Sequence, residues 1–592
     1  MSEYKPAVTD IRFVLEKVAG LRDLAALDQF SDAQPDIVGA LLEEAGRFTK
    51  EVVAPLARVG DQHGTSRRPD GSVESPPGYA AAYAKFVEAG WPAAAFPAEW
   101  GGGAMPGAVG IAVHEMLTSA DMAFSLLPML SYSSVKMLMR HSSEEQQATY
   151  LEKLVSGEWA GTMALTEPQA GSDVGALTTK AVQSDDGSWR LTGTKIFITW
   201  GEHEMAENII HIVLARTPGA PPGTKGISCF IVPKFLVNPD GSLGERNDIQ
   251  CVSIEHKLGI HASPTCVLSF GDEGGAIGYL IGEAEQGMRY MFTMMNDARL
   301  HVGLQGLAIA ERAYQQAVGY AFERKQGKAQ GTPRTDSARI VEHPDVRRTL
   351  MLMRSQIEAM RCVVYRNAAA IDFSHHHPEE GRRAEETALA ALLTPISKAW
   401  ITDLGVEIAS MGIQIHGGMG YIEETGAAQW WRDSRIAPIY EGTNGIQAID
   451  LVARKLPMDG GGFVRDLLGR AAKSAESHPD EAVRTHLGSA VGATSAATDW
   501  LLERWPEGAQ DALAGATPYL RMIGTTLGGW LLADSAVAAA EGNGYPEGFA
   551  AAKQATSHFF AEHVLSAVPG MLTAVTTGAD TTFALDETAL AR

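Results

Sequence analysis

Apolar side chains recur along the first third of the chain at the three- and four-residue spacing that one buried helix face requires. From Asp36, a cap residue, Leu41, Ala45, Phe48 and Val52 form such a stripe. Glycine- and proline-rich punctuation follows at 97–107, PAEWGGGAMPG, and helical spacing resumes to about Glu158. Near residue 160 the period changes. The runs 189–199, 208–216, 226–235 and 265–270 are rich in β-branched and aromatic residues, and turn clusters such as SDDGS and PGAPPG separate them. No regular helix intervenes, so the pattern predicts a compact antiparallel β domain rather than a parallel sheet. Helical spacing returns near Gly287. The segments 288–326, 346–373 and 394–412 are long enough to pack antiparallel in a bundle. MDGGGF at 458–463 marks a hinge before an alanine-rich helical tail to Arg592.

The predicted architecture is mostly α with a central antiparallel β domain. It divides into an N-terminal extension (1–36), a helical domain (37–160), a β domain (161–286), a helical bundle (287–457) and a C-terminal helical extension (458–592).

Composition narrows the classes. With 45% hydrophobic and 20% charged residues, the 592-residue chain can bury large cores, which disordered and fibrous chains cannot. Asp and Glu number 71 against 49 Lys and Arg, a formal net charge of −22. A field of that sign opposes binding to nucleic acid and anionic lipid. The four cysteines, Cys229, Cys251, Cys266 and Cys362, form no CxxC pair. Neither a disulfide framework nor a cysteine-rich zinc site is expected, and a reducing compartment is. The first twenty residues lack the apolar run and cleavage site of a secretory signal. No segment offers about 18 consecutive apolar residues. A cytoplasmic location is expected.

Two candidate sites lose weight at once. His375, His376 and His377 adjoin PEEGRRAEE, which reads as a solvated loop without a converging fourth ligand, so no metal is expected. HGGMGY at 416–421 has the glycines of a dinucleotide fingerprint but follows a helical pattern instead of a strand. Three segments carry more. In MALTEPQAGSDVGALTTKA (163–181), backbone groups and the hydroxyls of Thr166 and Ser172 could line a flat polar ligand, although an ordinary turn uses the same residues. In 415–436 the glycines allow close backbone approach, while Trp430, Trp431, Arg432 and Asp433 suit packing and an ion pair. In APIYEGTNGIQAIDLVARKL (437–456), Pro438 and EGTNG break one element and a helix restarts near Thr443 or Asn444. Glu441 is left on a loop before a helix, where an acid by itself is more often a dipole partner than a catalyst.

In this order, across this helix–strand–helix layout, the three segments resemble the acyl-CoA dehydrogenase flavoproteins over roughly residues 35 to 456. The resemblance implies FAD as cofactor and an acyl-CoA as substrate. Met163, Leu165, Thr166, Gly171 and Ser172 match a first flavin-binding segment, with Ser172 also near the substrate thioester. Phe197, Ile198 and Thr199 match the strand behind the isoalloxazine, with Thr199 placed to hydrogen-bond N5. Arg324 matches an arginine that reaches the neighbouring subunit's FAD pyrophosphate. Gln414, Ile415, Gly417 and Gly418 match another cofactor-contacting stretch, as do Thr443, Asn444 and Gly445. Asn296 and Arg299 lie where the family contacts CoA. Glu441, in the same YEGT context, coincides with the catalytic base, and Gly442 would let its backbone approach the substrate. One departure is plain: the family usually reads RKxFG where this chain has Arg324, Lys325, Gln326, Gly327 and an insertion at 328–342.

The implied reaction explains the residue types. Removing the weakly acidic Cα proton of a thioester requires stabilising charge on the thioester oxygen and a carboxylate base in a desolvated setting. FAD supplies the hydride acceptor. Whole segments, EHKLGIHASPT and IYEGTNGIQAIDLVARK among them, are similar to a bacterial branch of the family. That branch oxidises 3-methylmercaptopropionyl-CoA to methylthioacryloyl-CoA in dimethylsulfoniopropionate breakdown, and it also holds broad-range fatty acyl-CoA dehydrogenases. A pocket for the methylthio group would accept short-chain acyl-CoAs too, because a small apolar difference is worth only about 1–3 kcal/mol. The resemblance implies electron-transferring flavoprotein as acceptor and a homodimer, with the C-terminal extension as extra dimer surface or a cover. An acyl-CoA oxidase and a non-catalytic flavin-binding scaffold are the competing readings.

Overall fold

The computed structural model describes residues 3–592 apart from 334 and 543. Met1 and Ser2 of the expected N-terminal extension, and Arg334 of the insertion, lie outside the described residues. The chain divides into two compact units, one of residues 44–105 and 116–301, the other of residues 1–43, 106–115 and 302–592.

The first unit holds the sheet. Its eight strands are β1 (Trp159–Ala164), β2 (Lys180–Gln183), β3 (Trp189–Thr199), β4 (Asn208–Ala215), β5 (Ser228–Pro233), β6 (Ile249–Ile254), β7 (Thr265–Phe270) and β8 (Ala276–Leu280). They pair in the order β6-β7-β3-β8-β5-β4-β1, with β2 also on β3. Every pairing is antiparallel except β1 with β4, where Trp159 faces Asn208 and Ala164 faces Val213 in parallel. β4 and β5 are buried at every position. Strands covered on both faces read as continuous apolar runs, which is why 208–216 shows no alternation. Below β1 packs the helix Met122–His141, capped by Asp121, whose carboxylate accepts from the Phe124 N–H at 3.2 Å. Ser131 on that helix accepts from the Gly161 N–H at 2.9 Å.

The second unit is helical. The long helix α1 (Gly287–Glu323) carries the chain into it, and α2 (Pro344–His376) and α3 (Glu380–His416) follow. Helix α3 begins fourteen residues before the expected start at 394 and continues through Pro395. A proline removes one main-chain hydrogen bond, but Leu392, Leu393, Ile396 and Ser397 beside it are all buried, and their packing outweighs the break. His375 and His376 form the last turn of α2 rather than a loop, and the His376 ring packs on Phe30 at 5.0 Å between centroids. After α4 (Ala427–Ser434) and α5 (Asn444–Asp450), Asp459, Gly460 and Gly461 all take left-handed backbone within the segment 458–463 expected as a hinge.

The C-terminal helices α6 (Gly462–Ser477), α7 (Glu481–Arg504), α8 (Ala516–Glu541) and α9 (Phe549–His563) pack onto the bundle. The Trp400 indole lies against Gly524 and Gly528 of α8 and donates to Thr525 Oγ1 at 3.2 Å. Arg521 grips Glu407 with bonds of 2.6 and 3.0 Å. A buried charge cluster joins three parts of this unit. Arg361 meets Glu115 at 2.7 Å, Glu311 at 2.9 Å and also Asp10, while Lys553 on α9 meets Asp10 and, at 3.2 Å, Glu358. Among the described residues, Met122–His141 and Phe549–Thr576 are long and apolar enough to cross a membrane, and 89% of the apolar window of the first is buried, as in a core helix.

Candidate functional site

In the sheet unit, the turn after β1 is stitched to the middle of β3. Glu167, 2% exposed, accepts from the Thr178 N–H at 2.7 Å and hydroxyl at 2.8 Å. It also accepts from the Thr179 N–H at 3.0 Å and hydroxyl at 2.6 Å, and from Lys195 Nζ at 2.8 Å. Lys195 is fully buried and also donates to the Leu165 carbonyl at 2.9 Å. The Ile196 N–H donates to the Thr166 carbonyl at 2.9 Å. Burial alone would raise the Glu167 pKa, but the Lys195 ammonium and these donors outweigh it and hold the carboxyl at about 2. Burial pushes Lys195 down to about 8 against the pull of Glu167.

Directly beyond this clasp the strand distorts. The register of β7 on β3 shifts between Cys266 and Leu268, and Phe197 and Trp200 take φ of 59° and 52°. A left-handed non-glycine residue costs about 1 kcal/mol or more. The distortion leaves the Phe197 ring 58% exposed while Ile198 is buried. Thr166, Thr199 and Met163 are half-buried, Gly171 and Ser172 are exposed, and Leu165 is buried with its carbonyl engaged by Lys195. An exposed aromatic ring beside two half-buried hydroxyls fits a flat heteroaromatic ligand with polar edges. Of the expected CoA contacts, Asn296 is exposed and Arg299 is buried, with its guanidinium 3.4 Å from Asn296 Oδ1.

In the helical unit, Glu441 sits on the loop between α4 and α5, half-buried, with φ of 57°, and Gly442 follows at 83°. The loop is held from both ends. Tyr440 donates its hydroxyl proton to Gln305 Oε1, the Asn444 N–H reaches the Pro438 carbonyl at 3.0 Å, and Thr443 caps α5. Burial and the adjoining Glu441 charge push the Tyr440 phenol well above its ordinary value. The Asn444 side chain turns inward to α3. Its Oδ1 accepts from Lys398 at 2.8 Å, and its Nδ2 donates to Asp403 at 2.7 Å, Thr402 at 3.0 Å and the Ala399 carbonyl at 3.1 Å. Asn444 can therefore offer a ligand only its backbone, whereas Thr443 and Gly445 beside it are exposed.

Elsewhere in this unit Gln414, Gly417 and Gly418 are exposed and Ile415 is buried. A cavity of about 420 Å³ lies between Tyr320, Glu323, His416 and Met419, and none of Gln414, Ile415, Gly417 and Gly418 lines it. Arg324 is exposed just past α1, and its carbonyl accepts from the Ile340 N–H at 2.8 Å, folding the insertion back on the helix end. Arg432 pairs with Glu423 at 3.1 Å, and Trp430 donates to Gln316 at 2.6 Å under the Arg312 guanidinium. Sequence reasoning missed Glu167, Lys195 and Gln447. A lysine at an inward position of an apolar strand was the signal for the first two; for Gln447 there was none.

Four family models match the chain: the acyl-CoA dehydrogenase N-terminal domain at 38–158, middle domain at 162–272 and C-terminal domain at 285–456, and an acetyl-CoA dehydrogenase C-terminal-like domain at 467–586. A 3-methylmercaptopropionyl-CoA dehydrogenase of Ruegeria pomeroyi is 46% identical, over 95% of this chain and 96% of that protein. A broad-specificity linear acyl-CoA dehydrogenase of Mycobacterium tuberculosis is 33% identical over the full length of both. The structure of Caenorhabditis elegans ACDH-11 in complex with C11-CoA superposes with a TM-score of 0.76 at 20% identity, covering 98% of this chain and 96% of that one.

Proposed function

Since the chain belongs to the acyl-CoA dehydrogenases, a family of FAD-dependent oxidoreductases, we propose that it oxidises a short acyl-CoA thioester to the trans-2-enoyl-CoA, with 3-methylmercaptopropionyl-CoA as its principal substrate. The observation that carries the chemistry is Glu441, a carboxylate held at positive φ by a glycine, a helix cap and a buried glutamine. The likeness to the Ruegeria protein over nearly the whole chain supports the substrate.

Glu441 takes the Cα proton, and its N–H, freed to approach by Gly442, donates to the thioester oxygen as charge develops there. FAD, when bound, supplies the hydride acceptor. Phe197, Ile198 and Thr199 back the ring, Thr166 lies beside it, and Ser172 serves pyrophosphate and thioester. Gln414, Gly417, Gly418, Thr443, Gly445 and Arg324 contact the rest of the cofactor, Arg324 in the neighbouring subunit of a homodimer. Asn296 and Arg299 meet CoA. The enzyme works in the cytoplasm and passes its electrons to electron-transferring flavoprotein.

Anaerobic titration with a panel of acyl-CoAs tests this. Bleaching of the flavin by 3-methylmercaptopropionyl-CoA and butyryl-CoA is expected. If long-chain thioesters alone bleach it, the substrate assignment fails. Glu441→Gln should keep FAD and bind thioester yet lose turnover about a thousandfold or more; near-native turnover removes Glu441 as the base. Broad-range fatty acyl-CoA oxidation is the second reading, favoured by the full-length likeness to the Mycobacterium tuberculosis protein.

A further inference from the structure

We propose that the buried Glu167–Lys195 pair is a positioning device for the flavin rather than a source of fold stability. The inference rests on the assignment of 163–172 and 197–199 to FAD. Both side chains are buried, at 2% and 0% exposure. Replacing such a pair by apolar side chains of similar size is often neutral or stabilising, whereas removing one partner leaves a lone buried charge. Stability alone therefore does not call for the pair.

What apolar side chains cannot supply is direction. Lys195 Nζ bridges Glu167 and the Leu165 carbonyl, and the next residue, Ile196, donates to Thr166. Glu167 in turn gathers two N–H groups and two hydroxyls from Thr178 and Thr179. Residues 165–167 and 195–196 thus move as one piece. Phe197 starts its left-handed turn at the edge of that piece, and Thr166 and Thr199 flank it. The charge-assisted bonds of Lys195, 2.8 Å to Glu167 and 2.9 Å to the Leu165 carbonyl, fix the offset between the Thr166 and Thr199 hydroxyls with a direction that packing lacks.

The test compares E167Q, K195M, E167M/K195M and T199V by melting temperature of the apoprotein, FAD affinity, and the visible spectrum and potential of the bound flavin. Each single change of the pair should lower both stability and FAD affinity. The double variant should regain the melting temperature but bind FAD about tenfold more weakly, with a shifted spectrum and potential. A double variant with native FAD affinity and spectrum overturns the inference. If the double variant does not fold, T178V decides, since it removes one hydroxyl from Glu167 at an exposed position. A loss of FAD affinity of about threefold at unchanged melting temperature supports the role, and unchanged affinity overturns it. T199V separates the two claims. An unshifted spectrum there rejects the flavin assignment and the inference with it; a shifted one, with the double variant unaffected, rejects the inference alone.

Discussion

Gln447 Nε2 lies 3.3 Å from the carbonyl oxygen of Glu441 and 3.4 Å from that of Gly442. One buried amide, a turn further along α5, thereby holds both peptide planes of a left-handed pair. Because the NH₂ group is the part engaged, while Oε1 has no hydrogen-bond partner, the glutamine acts on the loop and not on the helix. Gln447→Met should cost little stability, since it also removes a buried unsatisfied acceptor. It should lower kcat about tenfold with FAD content unchanged, because a base displaced by a fraction of an ångström transfers protons poorly. Steady-state kinetics beside a melting curve checks both halves.

Gly442 carries a φ of 83°, where a Cβ is disfavoured by about 1 kcal/mol. Gly442→Ala should relax the loop toward negative φ and carry Glu441 with it. A kcat loss larger than the stability loss is expected, with kcat at saturating thioester and denaturant midpoint as the two readouts.

Arg361 is the cation shared by Glu115, Glu311 and Asp10. Arg361→Met leaves these carboxylates buried without it and should destabilise the helical unit by about 3–5 kcal/mol. Urea unfolding followed by circular dichroism measures this, and a change below about 1 kcal/mol would show that the cluster is dispensable.

Stability should also fall in acid. Burial alone would raise the Glu167 and Asp10 pKa values, but Lys195 for the first and Lys553 with Arg361 for the second outweigh it and hold both near 2. Relative to its protonated form, a carboxylate depressed in the folded state stabilises the fold above its unfolded pKa of about 4, and that difference is lost as pH falls towards the folded value. The loss should therefore run from about pH 4.5 to pH 2. Denaturant unfolding at stepped pH should show a slope shallower by about one proton in E167M/K195M.

At Gly528 an added Cβ would press on the Trp400 ring. Gly528→Val should lift α8 from α3 and cost about 1–3 kcal/mol. The melting temperature reports it, and an unchanged value would mean that α8 can shift at no cost.

Local sequence determined a good deal. The change of apolar period near residue 160 placed the β region, because strand and helix periodicities are properties of neighbouring residues. The long runs around 288, 346 and 394 marked the bundle helices for the same reason, and YEGTNG placed Glu441 on a loop before a helix whose cap is the threonine two residues on. What tertiary structure alone decided lies where distant residues meet. Pro395 sits inside α3 because buried neighbours outweigh its missing hydrogen bond, and β1 pairs in parallel with β4, from which β2 and β3 separate it along the chain. Asn444 spends its side chain on α3, and Glu167 finds Lys195 across 28 residues. No local pattern encodes such partners, since the desolvation that makes them matter exists only once the chain has closed around them.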